Sequence, residues 1–492
     1  MKLSVSAAEA SQSRPPTALP AMKRNASVPF STKLLYGSGS LAVGAKNAVF
    51  DIFLLYYETN VLGLPGAMAG LSVFLTMCVD AVSDPLMGSI SDHFRSRFGR
   101  RHLFMYMAAL PVALSLYGLL SPPEGLGTAG LFVWLTVLSI AVRLSLTLYQ
   151  VPSDALAPEL TDDYDERTTI AGLRALFEFG GTVGLALVAW TMFFPNFEGG
   201  RNDPQAYVSV ATAAAVMAFV AILVCTVGTH NLIPSLRKPQ SSFSSTRLVS
   251  DLREAWGNHS YRMILIATMI GAIGMGFDEA FRLYMTTYFW EFDDSDQAVL
   301  LGMVVLAVPV AVVAARQISL FLDKRRAATG LMAFAIVFSP LPIFARFLHI
   351  LPENGDPRLL PIIAGHAAIS LGSFLALMIL MRSMIQDSVD ENELITGERQ
   401  EGVFVAAIAF AGKAVSGVGN LLGGITLQLI AFPARAIPGT VPQNKVDLLG
   451  WAVGPWIIVL NLVALSFLRK YPITRERYRE IVAELSRRKA LK

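Results

Sequence analysis

The 492-residue chain is poor in charge: 16% of its residues are Asp, Glu, Lys or Arg, where ordinary soluble domains carry about 25%. Its two cysteines, Cys78 and Cys225, both fall in apolar runs and read as small core residues, not as a disulfide or a thiolate metal pair. Six histidines are scattered along the chain and form no metal spacing or nucleophile–base set. No glycine-rich phosphate loop is present. Residues 1–30 are rich in Ser, Ala and Pro and lack the apolar stretch of a cleavable signal peptide. These absences argue against an enzyme, a bound cofactor or a structural metal. A net charge of +3 gives no ground for a nucleic-acid partner.

What the chain has instead is apolar surface, 53% of residues with a mean hydropathy of +0.52. Runs long enough to cross a bilayer as helices fall at about 34–57, 66–90, 103–121, 128–152, 171–194, 206–229, 261–290, 298–320, 327–349, 359–384, 403–431 and 449–468. The expected fold is therefore an all-α membrane protein of twelve transmembrane helices. An even number places both termini on one side. The segments on that side hold 31 Lys and Arg, whereas the opposite loops hold only Arg201, Arg358, Arg435 and Lys445. Positive charge collects on the cytoplasmic side, so both termini are expected in the cytoplasm and the chain in an inner or plasma membrane.

The chain divides by pattern into an arm (1–33), expected to be disordered, a six-helix bundle (34–229), a linker (230–260), a second bundle (261–468) and a basic tail (469–492). The tail reads equally as a helix against anionic headgroups or as a solvated extension. The halves echo each other. Asp92 and Arg100-Arg101 follow helix 2, and Asp323-Lys-Arg-Arg326 follows helix 8, with Asp323 231 residues beyond Asp92. The acidic loop ending at Arg167 recurs as the loop ending at Arg399, 232 residues on. Two parallel six-helix repeats are the pattern of transporters that rock about a site near the bilayer midplane.

Charges within the apolar runs need a reason, because intramembrane ionisable residues are costly and mark functional sites. Asp80 and Asp84 share one face of helix 2, roughly 20 to 27 Å from its outer end at 1.5 Å per residue. With Ser83 they offer hard oxygen ligands to a small cation such as Na⁺, or a proton acceptor. Lys413, near the midplane of helix 11, is expected to face this pair across the interface between the halves. Lys46, Asn47 and Asp51 form a second polar cluster on helix 1. Helix 4 adds Arg143, Thr147 and Gln150, helix 5 Arg174 and Glu178, and helix 7 Asp278, Glu279 and Arg282. Glu279 and Arg282, three residues apart, are spaced to neutralise each other. In the loops, acidic 162–166 (with Asp165 and Glu166, followed by Arg167) and basic 95–101 are expected to pair as a latch, repeated by Asp323, Arg325 and Arg399.

Gly88-Ser-Ile-Ser-Asp92 with Gly99-Arg-Arg101 resembles the signature loop of the major facilitator superfamily. More narrowly, Asp80-Ala-Val-Ser-Asp-Pro-Leu-Met-Gly88, Pro158-Glu-Leu-Thr-Asp-Asp-Tyr-Asp-Glu-Arg167 and Thr396-Gly-Glu-Arg-Gln-Glu-Gly402 resemble the glycoside–pentoside–hexuronide cation symporters. The resemblance spans about residues 33–470. It implies sugar uptake coupled to Na⁺, Li⁺ or H⁺, a cation site at Asp80, Asp84 and Thr147 with Ser83 in place of an asparagine, and substrate contacts at Lys413 and Arg174. The family's melibiose carriers also hold the sugar with two acids, whose positions here are Gly44 and Gln150. A galactoside is therefore not expected, while Lys46, Asn47 and Gln150 suit another polyol or an acidic sugar. Lysophospholipid symporters of the same branch are also similar, keeping the helix-2 acids and the helix-11 lysine without the sugar acids. The partners expected are a small or amphiphilic solute and the lipid bilayer, with the protein a monomer.

Overall fold

The computed structural model describes residues 28–94, 96, 98–161, 163–233, 256–321, 323–397 and 401–490. Residues 1–27 of the expected arm, most of the 230–260 linker, and Arg399 lie outside them. Among the described residues the secondary structure is helical throughout, with no strand. In chain order the helices are α1 (30–61), α2 (Gly66–His93), α3 (His102–Leu119), α4 (Thr128–Leu160), α5 (Tyr164–Val188), α6 (Pro204–His230), α7 (His259–Tyr284) and α8 (Asp294–Phe321). They continue as α9 (Lys324–Phe338, then Leu341–Phe347), α10 (Leu359–Thr396), α11 (Glu401–Leu429), α12 (Gln443–Leu468) and α13 (Arg475–Ala490). Nine helices among the described residues are long and apolar enough to cross a membrane. The runs expected at 34–57, 298–320 and 403–431 coincide with α1, α8 and α11, which stand outside that nine.

Local chemistry fixes many ends. The carboxylate of Asp203 accepts from the Gln205 amide at 2.8 Å and Pro204 opens α6, a cap followed by a residue with no amide hydrogen to satisfy. Asp163 and Asn258 cap α5 and α7 in the same way, accepting from the Glu166 and Tyr261 amides. Gly397, at φ +81°, ends α10 in the left-handed conformation. Two boundaries differ from the sequence reading. The acidic stretch from Asp387 to Glu393, expected in a loop, continues α10 to Thr396, and α4 likewise runs on to Leu160. Charged residues favour helix as well as apolar ones do, so the fall in hydropathy marks where the lipid ends, not where the helix ends.

α11 packs along α2 on one side and α7 on the other, the most extensive helix–helix packing among the described residues. Both crossings are made by glycine. A Cβ at Gly424 would run into the Gly66 carbonyl, one at Gly276 would run into that of Ser416, and one at Gly70 would sit 2.9 Å from the Asn420 oxygen. Small residues let helix backbones approach this closely in a membrane.

At the face opposite the termini, here the far face, side chains bridge the halves. Arg201 pairs with Asp294 at 2.7 Å, donates to Thr287 Oγ1 and the Phe292 carbonyl, and packs over Trp190. The hydroxyls of Tyr56 and Tyr288 meet at 3.2 Å and those of Thr59 and Tyr284 at 2.5 Å, while Asn60 accepts from the Ala436 amide. The mouth on that face is closed. A cavity of about 820 Å³ lies just outside the closure, between Asn60, Arg201, Asp294 and Arg435.

At the terminal face α13 docks on the end of α10. Tyr478 donates to Asp390 at 3.1 Å, and Ile473, Ile481 and Leu485 are buried with Met384 and Val389. The tail thus covers protein with its apolar side.

Candidate functional site

α2 and α4 lie side by side with matching polar faces. Asp80 and Asp84 are four residues apart on α2, and Arg143 and Thr147 four apart on α4. Each α4 residue meets the α2 residue 63 positions earlier. Arg143 Nη1 lies 3.2 Å from Asp80 Oδ2, and Thr147 Oγ1 donates to Asp84 Oδ1 at 2.9 Å. The Thr147 hydroxyl is also 3.5 Å from Asp80 Oδ1 and from Ser83 Oγ. Ser83 otherwise donates back to the Asp80 carbonyl at 3.2 Å.

From the other half, Lys413 of α11 reaches the same pair. Its Nζ is 3.2 Å from Asp80 Oδ2 and is hydrogen-bonded to Asp84 Oδ2. Lys413 and the two acids are singled out in the sequence as charges within apolar runs. The sequence does not mark Arg143 as a partner of Asp80. The signal was the shared four-residue spacing on helices 2 and 4.

The remaining polar residues surround this centre. Lys46 is buried on α1, with Arg143, Asp51, Asp80 and Lys413 as the charges it feels. Asn47 donates to Glu178 Oε1 at 3.2 Å. Arg174 pairs with Asp154, lies over the Tyr36 ring at 5.5 Å, and is 3.5 Å from Ser40 Oγ. Gln150 is half-buried on the α4 face that carries Arg143 and Thr147. Gly44 has a structural reason: α1 and α5 touch there, and a Cβ would run into the Glu178 carbonyl. No acid fits at that position. The Glu178 carboxylate, on α5, is held one turn further along α1 by Asn47.

Several pairings between described residues differ from expectation, while Arg95, Arg97 and Asp162 of the expected latch lie outside those residues. Arg282 binds Asp278, one turn away at 3.2 Å, with both side chains about half exposed, while Glu279 is half-buried within reach of the charges of Asp51 and Arg282. The i,i+4 spacing brings the longer reach of arginine back over the preceding turn. Arg100 and Arg101 pair with Glu159 at the end of α4, while Glu166 binds Lys33 at 2.9 Å and Thr161 at 2.6 Å. Arg167 donates to the Thr161 and Pro158 carbonyls that end α4, and Asp165 is exposed on the first turn of α5. In the second half Asp387 binds Lys324 at 2.7 Å, Arg325 donates to the Arg469 carbonyl, and Asp323 stands at the N-cap of α9. Asp92 lies on the last turn of α2, with its side chain outside what is described. The repeat survives in another form: in each half a base after the second helix holds an acid at the end of the fourth.

The bundle is multi-pass with a charged centre where its halves meet, and the family it matches makes it a membrane transporter and not an enzyme. A family model described as MFS/sugar transport protein matches residues 35–475, and the chain belongs to that family. An uncharacterized symporter of Synechocystis is 26% identical, over 93% of this chain and 97% of that one. The isoprimeverose transporter of Lactiplantibacillus pentosus is 24% identical over 86% and 85%. Among solved structures, the nucleoside transporter NupG shares the fold with a TM-score of 0.61 at 15% identity, over 89% of this chain and 99% of that one.

Proposed function

We propose that the protein is a cation-coupled symporter of a small organic solute, of the sugar, glycoside or sugar-acid class, working by alternating access with its terminal face in the cytoplasm of an inner or plasma membrane. The observation that carries this reading is the meeting of Asp80 and Asp84 of one half with Lys413 of the other. An incoming positive charge at the acids weakens their hold on Lys413. The freed lysine then offers its charge to a polar solute between the halves, and the two ligands favour each other's binding. Relatives named as symporters, one an isoprimeverose transporter, support the class of solute.

The test is uptake into proteoliposomes, with the solute chosen by thermal-shift screening of sugars, sugar acids and lysolipids, each with and without Na⁺. Asp80→Asn and Asp84→Asn are expected to abolish accumulation driven by an ion gradient, while melting curves verify that both variants fold. Undiminished accumulation in both variants rules out the coupling role. Accumulation that follows only the solute's own gradient in the wild type makes the protein a passive carrier.

A further inference from the structure

We infer that Arg143 is a tethered cation standing where an alkali-metal ion would sit beside Asp80, and that it bars Na⁺ and Li⁺ from the Asp80/Asp84 pair. The inference rests on the coupling reading above and narrows it. Its basis is the parallel register of α2 and α4. One turn of α4 gives Asp84 a hydroxyl, Thr147, of the kind that ligates hard cations, and the turn before it gives Asp80 a guanidinium. The two positions are equivalent in geometry and opposite in chemistry.

Arg143 is committed to that place. Its side chain is 7% exposed, its Cζ lies 4.7 Å from the centroid of the Phe50 ring, and its Nε and Nη2 are buried without other hydrogen-bond partners. Among the described residues no competing acceptor draws it away, and a guanidinium does not give up its proton. Lys413 differs on each count: it is 39% exposed, it belongs to the other half, and it can move away with that half. When it does, Asp80 keeps Arg143.

An alkali ion needs several oxygens and their negative charge. Oδ2 of Asp80 is already taken by Arg143, and Lys46, buried on α1, is a further basic group that feels Asp80. Two like charges about 6 Å apart at an effective permittivity of about 20 repel strongly enough to weaken binding roughly a hundredfold.

The experiment melts the purified full-length chain in choline, sodium and lithium chloride at equal ionic strength. The wild type is expected to melt at one temperature in all three salts. Arg143→Gln should gain a Na⁺- or Li⁺-dependent rise, with half-effect at roughly a hundredfold lower salt than any wild-type response. Arg143→Gln with Asp84→Asn should lose that gain, and Arg143→Lys should remain as blind to Na⁺ as the wild type. A Na⁺-specific rise in the wild type, removed by Asp84→Asn, overturns the role of Arg143 while leaving cation coupling intact. A folded Arg143→Gln that responds no more than wild type overturns it too. If Arg143→Gln does not fold, the wild type and Arg143→Lys still decide. Failure of coupling itself is read separately, as uptake that no ion gradient drives.

Discussion

Asp80, Asp84 and Lys413 stand out in the sequence because each is a charge within an apolar run, where a partner is obligatory. Arg143 was equally visible as a charge, yet its partner was not, because that depends on how far α2 slides along α4. Axial register between helices is set by packing over their whole length and has no signature at a single residue. Gly44 teaches the converse. Its smallness reads as a lost sugar acid, but the physical reason is the backbone of α5 pressed against it. Gly44→Ala is expected to force α1 and α5 apart and to lower stability by about 1 to 3 kcal/mol, as overpacking does. Thermal unfolding in detergent measures this, and an unchanged midpoint contradicts so close a contact.

Among the elements, the twelve apolar runs were legible and their polar extensions were not. The ends of α4 and α10 leave the apolar zone as helices whose acids hold bases that follow the second helix of each half, and nothing in an acid-rich stretch separates helix from loop. The start of α8 shows how such an end is fixed. Asp293 accepts from the Ser295 hydroxyl at 2.7 Å and the Asp296 amide at 2.8 Å, and its own amide donates to Asp296 Oδ2. Burial works against the charge, but these hydrogen bonds outweigh it and hold the Asp293 carboxyl below its ordinary value. A depressed carboxylate stabilises the fold fully above its ordinary pKa and ceases to as pH falls through the lowered one. Hydrogen exchange of the Ser295 and Asp296 amides is therefore expected to accelerate in that acidic window, beyond the intrinsic change. Exchange that follows only the intrinsic rate contradicts the cap.

For the whole molecule, the far-face closure decides which mouth is shut. Arg201–Asp294 is its one ion pair between described residues, with side chains 8% and 17% exposed. Arg201→Ala leaves Asp294 without its guanidinium, and breaking a buried pair typically costs about 3 to 5 kcal/mol. The outer mouth is then expected to open more often. The readout is maleimide labelling of Val61→Cys, a side chain only 5% exposed in the closed structure, with Cys78 and Cys225 replaced by serine. Labelling at least tenfold faster than in the Arg201 background is expected, and an unchanged rate removes Arg201 from the closure.

Under the alternating-access reading proposed above, the glycine crossing of α2 and α11 would serve as a fulcrum. At Gly66 and Gly70 the two backbones touch with no side chain between them. From Gly70 to the end of α2 at His93 is about 35 Å at 1.5 Å per residue, and Asp84 lies about 21 Å along that arm. A tilt of about 10° at the crossing moves the far tip by about 6 Å and Asp84 by about 4 Å. The first distance admits a solute, and the second parts Asp84 from Lys413. Opening the terminal mouth and releasing the ion pair are then two readings of a single lever.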